Sequence, residues 1–182
     1  MSRRRLGTTV PWALATLALA ATLAHPLRAQ ADSDSVAAPV VRRNVAKLPF
    51  EDGAIVVDAH SDGAIVVGAA HDDSTIAIAL PGPAVREWAD SAARILAKRI
   101  RNARTPRTYR ALVTSPQTGE GISFTRQVSG KTSEYRLFFA NAHYGGFPIE
   151  ISPDEAELFV RVLHKAVRVA RAMEKQAGAH AP

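Results

Sequence analysis

The chain has 182 residues, no cysteine and a formal net charge of +6. Without cysteine it cannot form disulfides, use a thiolate nucleophile, ligate metal through sulfur or carry a lipid on a cleavage-site cysteine. Its 47% hydrophobic content supplies apolar material for one core, or for two small cores that share an interface.

The chain opens with Arg3, Arg4 and Arg5, followed by an uncharged stretch from Leu6 to Ala24 and then by Ala29-Gln30-Ala31. A basic start, an apolar run and a small-x-small site are the three parts of a secretory signal peptide. Residues 1–31 are therefore read as a cleavable leader, with cleavage after Ala31. The mature protein is expected to be exported, periplasmic or secreted, with no stable membrane span. A retained anchor is the alternative, because the apolar stretch approaches the length that crosses a bilayer. His25-Pro26 and the cleavage site favour removal. Arg3, Arg4, Arg5 and Arg28 leave with the leader, which reduces the 23 basic side chains to 19 against 17 acidic ones, net +2.

Residues 32–40 are rich in Ala, Ser, Asp and Pro and read as a linker. A first sheet-plus-helix unit is expected over 41–104. Asp52-Gly53, Asp62-Gly63 and Asp72-Asp73-Ser74 each precede a short run rich in Val, Ile and Ala. Aliphatic runs about ten residues apart, separated by Asp- and Gly-rich turns, predict an antiparallel meander. The hexapeptide DGAIVV occurs twice, at 52–57 and 62–67, as two adjacent strands of one sheet would have it. A preceding strand is expected near Val45 to Phe50. At Pro83 the period changes: Val85, Trp88, Ala92, Ile95, Leu96 and Ile100 recur at mostly helical spacing, predicting a helix from about Pro83 to Arg101.

A second unit is expected over 105–176. Strands are read at Tyr109–Thr114, Ile122–Val128, Tyr135–Ala140 and Phe147–Ile151. In the second of these, Arg126 falls on the apolar face, out of pattern. Ser152-Pro153-Asp154-Glu155 is a capping box with proline at the first helical position, and a long amphipathic helix follows it. Residues 177–182 read as an unstructured tail. In both units an aliphatic strand end is followed eight residues later by a helical aromatic: Leu80 by Trp88, Ile151 by Phe159. The fold class is thus α+β, two tandem antiparallel β-meander-plus-helix units, each helix lying across its own sheet or its partner's. At fold level this order resembles the whirly and Pur-type single-stranded nucleic-acid binders, with no motif of theirs to carry over residue by residue.

Motifs that carry chemistry are few. Asp58-Ala59-His60-Ser61-Asp62-Gly63 opens like a calcium loop, but Ala69 stands where the bidentate glutamate belongs, so a hairpin turn is expected. His60 and the 71–74 turn fall at opposite ends of a meander and cannot share one metal, so no metal or cofactor is assigned. Gly130-Lys131-Thr132 imitates the end of a P-loop but lacks the leading glycine. No catalytic residue is assigned, and His143 is the histidine most worth inspecting for acid–base work. The sharpest surface feature is charge segregation: six acids and no Lys or Arg over 51–73, seven bases and no acid over 94–110. Arg99, Arg101, Arg104, Arg107 and Arg110 form the candidate ligand-binding set.

The favoured reading is a non-catalytic binding or interaction module of the cell envelope. Its partner would be another envelope protein or an anionic surface, and open strand edges leave room for a homodimer. Binding of polyanions or single-stranded nucleic acid through 94–110 is a second reading, against which export counts. An envelope hydrolase is a third.

Overall fold

The computed structural model describes residues 39–179 apart from 52, 72, 100–102 and 142–144; of 103 and 104 only the backbone is described. The leader read at 1–31, most of the 32–40 linker and His143 lie outside the described residues, as do Arg101 and the side chain of Arg104.

Among the described residues, alternation of apolar and polar residues produces eight strands, and helical spacing produces two helices, in the order ββββαββββα. They are β1 (Arg42–Phe50), β2 (Gly53–His60), β3 (Ala64–His71), β4 (Ser74–Pro81), α1 (Gly82–Ala97), β5 (Ala103–Thr114), β6 (Gly121–Gly130), β7 (Thr132–Asn141), β8 (Gly145–Ile151) and α2 (Pro153–Ala179). The strands form two separate four-stranded antiparallel sheets, ordered β1-β2-β3-β4 and β5-β6-β7-β8. The expected α+β fold of two tandem meander-plus-helix units is present. The β2–β3 turn shows why Asp and Gly punctuate the first meander. Gly63 sits at φ 85°, where only glycine is at ease, and the Asp62 carboxylate accepts the Ala64 N–H at 3.0 Å.

Register fixes which side chains face inward. Ile55, Val57 and Ala59 of β2 lie beside Ala69, Val67 and Ile65 of β3, and all six are buried. In the second sheet Val113 pairs with Ile122, and Ile122 with Phe139, while Phe124 pairs with Leu137, and Leu137 with Ile149. Both inner faces contribute to a single hydrophobic core together with the helices.

The helices are exchanged between the units. Helix α1 packs mainly on α2 and on β5 of the second sheet, and α2 packs on β1 and β2 of the first. Two bonds anchor this exchange. The Trp88 indole N–H donates to the Ala111 carbonyl of β5 at 3.2 Å. Trp88 also meets Phe159 of α2 edge to face, with ring centroids 5.8 Å apart. Such a pair contributes roughly 0.5–1.5 kcal/mol beyond its burial. The two aromatics that hold equivalent places in the sequence pattern thus meet at the centre of the core.

Both helix starts follow their sequence signals, and both helix ends depart from them. At α2 the capping box closes reciprocally: the Ser152 N–H donates to Glu155 Oε2 at 2.7 Å, and the Glu155 N–H to Ser152 Oγ at 3.3 Å. The helix then continues through Ala179, into the segment read as tail. Helix α1 stops at Ala97, short of Arg101, with Lys98 already extended at its C-cap. Arg126 caps this end. Its side chain is only 4% exposed on the inner face of β6. Its Nη1 donates to the carbonyls of Ile95 at 2.8 Å, Leu96 at 3.1 Å and Lys98 at 2.9 Å. Nε donates to Ser133 Oγ at 3.1 Å, and the guanidinium lies 5.4 Å from the Tyr135 ring centroid. The residue that broke the apolar pattern of β6 is the C-terminal cap of a helix from the other unit. The negative end of the helix dipole and the ring face balance its buried charge.

Candidate functional site

Of the candidate arginines, the side chains of Arg99, Arg107 and Arg110 are described, and these three do not line up along one strand face. Arg107 pairs with Val128 on the inward register of β5, whereas Arg110 pairs with Thr125 on the outward one. Both are exposed, and Arg99 is exposed just past the end of α1. Lys98 sits over the Tyr109 ring at 4.2 Å, and Arg94 Nη2 donates to Ser91 Oγ at 2.8 Å. Two cations of the 94–110 segment are thus occupied within their own neighbourhood, and of the described others Arg107 and Arg110 lie on opposite registers of β5.

The acidic turns separate likewise. Asp58 lies within β2 and is buried, held by an ion pair to Arg42 at 2.6 Å and by the Asn44 amide at 2.8 Å. It ties β1 to β2 beside the bulge between Asn44 and Ala46. His60 ends β2, while His71 pairs with Gly53 at the other end of that strand. His71 is instead stacked on Phe147 at a centroid distance of 5.8 Å and tilted against Phe50 at 6.0 Å. Among the described residues no group of three His, Asp or Glu side chains comes together to hold a metal ion. Gly130-Lys131-Thr132 is the β6–β7 hairpin turn, where the Thr132 hydroxyl donates to the Ser129 carbonyl at 2.7 Å.

What the register does bring together is the outer face of the second sheet, the side away from the helices. One cross-strand row runs Leu112, Ser123, Phe138, Pro148, and the adjacent row runs Arg110, Thr125, Arg136, Glu150. Leu112 is 58% exposed in the middle of β5, Pro148 is exposed, and Phe138 is half-buried. Between Leu112 and Phe138, Ser123 is buried and receives a hydrogen bond from Arg110 Nη2 at 3.3 Å. Arg136 Nη2 reaches Glu150 Oε1 at 2.6 Å on the exposed surface. The face is therefore an apolar belt across three of the four strands, bordered by two guanidinium groups and a carboxylate.

Of this face the sequence pointed only to Arg110. Leu112, Phe138, Arg136 and Pro148 were missed, although a signal exists. Leu112 is the apolar residue in the polar phase of β5, between inward Ala111 and Val113. Phe138 occupies the same out-of-phase place between Leu137 and Phe139. No known protein family and no curated protein matches the chain.

Proposed function

We propose that this is a non-catalytic binding module of the cell envelope, and that it holds a protein partner on the outer face of its second sheet. The observation that carries this reading is the exposed belt of Leu112, Phe138 and Pro148 beside Arg110 and Arg136. Large apolar and arginine side chains on one surface are the composition of interface hot spots. An apolar residue exposed at the centre of a regular strand has no role in the chain's own core. The outer face of the first sheet offers less to grip. There the register aligns Pro49, Ala54, Ala70 and Thr75 in one row and Lys47, Val56, Gly68 and Ala77 in the next, small or slender side chains but for Lys47 and Pro49 at the β1 edge. Mixed charge favours a protein over a polyanion, because Glu134 and Glu150 stand beside Arg136 in the same sheet. The basic n-region, apolar run and Ala29-Gln30-Ala31 support an extracytoplasmic setting.

The test is site-specific photo-crosslinking in the native envelope, with a benzophenone side chain at position 112 and, as control, at position 77. Position 112 is expected to capture one dominant protein, and Arg136→Glu is expected to abolish the capture. Equal capture from both positions, or none from 112, refutes the reading. Salt-sensitive retention on heparin or single-stranded DNA, lost in Arg110→Ala, would replace the protein partner by a polyanion.

A further inference from the structure

A cavity of about 340 Å³ opens where the β2–β3 turn, the β4–α1 junction, the β5–β6 turn and the last third of α2 converge. Its volume lies within the range of small-molecule sites. None of its lining residues belongs to the outer face of the second sheet, so it stands independently of the reading above.

The floor is apolar: Leu80, Val167 and Ala170 are buried beneath it. The wall is set by the backbone. The Gly82 N–H donates to the Gly63 carbonyl at 3.1 Å, and a Cβ on Gly82 would approach that oxygen to 2.8 Å. The turn and the helix start are thus locked together without side chains.

The rim is poor in hydrogen-bond donors. Pro81, Pro83 and Pro116 line it and have no N–H. The N–H of Gly82 is spent on Gly63, and that of Ala64 on the Asp62 carboxylate. The carboxylates of Asp62 and Glu174 face the cavity, against Arg171 and the Gln117 amide as donors. The Glu174 carboxylate lies beside the β2–β3 turn, at ordinary van der Waals distance (3.5 Å) from where a Cβ on Gly63 would be. Among the described residues none of Asp62, Glu174 and Arg171 has an ion-pair partner.

Two carboxylates against one guanidinium leave the rim net negative, which selects a cationic ligand. The described lining contains no aromatic ring. A quaternary ammonium, which is bound through ring faces, gains nothing here, whereas a primary ammonium with three N–H donors does. We propose that this cavity binds a primary ammonium compound with a short aliphatic body, the ammonium between Asp62 and Glu174 and the alkyl chain on Leu80, Val167 and Ala170.

The experiment is an amide chemical-shift titration of the chain from Asp32 onward with 1-aminopentane, and in parallel with pentanoate and 1-pentanol. Saturable shifts are expected from the amine alone, centred on Gly63, Gly82 and Ala170. The pair Asp62→Asn and Glu174→Gln keeps the side-chain oxygen that Ala64 needs, and is expected to weaken the amine about tenfold, from two partly exposed charge contacts. Arg171→Gln is expected to leave binding intact or strengthen it. No saturable shift overturns the proposal, as does an equal response to 1-pentanol, tighter binding of pentanoate, or indifference to the double substitution.

Discussion

Replacing Arg126 by methionine tests how the second sheet holds the helix of the first unit. The Nη1 carries two hydrogens shared among three carbonyls. The loss is therefore counted as two bonds from a charged donor, at about 1.5–3 kcal/mol each. Methionine returns part of this, roughly 1–2 kcal/mol, by burying an apolar stem and relieving the desolvation of the guanidinium. The carbonyls stay behind at a helix end against the core, where the Ile95 oxygen keeps only the long bond from the Lys98 N–H at 3.4 Å. A net loss of about 1–5 kcal/mol follows, centred near 3, which corresponds to a fall in Tm of about 10 °C for a domain of this size. Arg126→Lys keeps the charge but not the planar fork that serves Ser133 and the helix together, and should lose about 1 kcal/mol. Urea unfolding of the chain from Asp32 onward, followed by far-ultraviolet circular dichroism, measures both. Trp88 is its only tryptophan and gives an independent fluorescence signal from the core. If Arg126→Met unfolds within about 0.5 kcal/mol of the unaltered protein, the guanidinium is not the cap that ends α1, and the reasoning fails.

Three further substitutions probe other joints by the same unfolding assay. Ser152→Ala removes the side-chain half of the capping box and should lower stability by about 1 kcal/mol. Trp88→Phe loses the bond to Ala111 and part of the contact with Phe159, for an expected loss of about 1–2 kcal/mol with the fold retained. Gly53→Ala would place a Cβ 1.9 Å from the Ala70 carbonyl oxygen, so β2 must move away from β3. A loss of more than about 2 kcal/mol, or failure to accumulate as soluble protein, is expected, and an unchanged unfolding midpoint would contradict the close approach.

The strands and helix starts were legible because their signals are local. Alternation in Ile55 to Ala59, the Asp62-Gly63 turn and the Ser152 to Glu155 box each act within a few residues. The end of α1 was not legible, because Arg126, some thirty residues away, caps it through a carbonyl contact that no periodicity records. Arg126 was visible only as an error in the β6 pattern, and that error was the sign of a buried polar function. The same holds for the binding face. The 94–110 charges are adjacent in sequence, but strand alternation turns Arg107 and Arg110 to opposite faces. Arg110 and Arg136 lie in different strands yet share a row once β6 is placed between them. Sequence proximity was the wrong measure of spatial proximity, and cross-strand register is the right one.

The exchanged helices explain why outer faces matter in this molecule. Helix α1 lies on β5 and α2 on β1 and β2, so the inner faces of both sheets are spent on one shared core. Both units therefore turn one sheet face to solvent, and the two faces differ in chemistry although the strand order beneath them is the same. Ala, Gly and Val on the first present backbone-like relief with little depth. Leu, Phe, Pro and Arg on the second present side chains that can enter pockets of a partner. Affinity comes from a few such protruding groups rather than from area. Between two faces of similar extent, the second sheet is accordingly the one whose alteration should change what the protein holds.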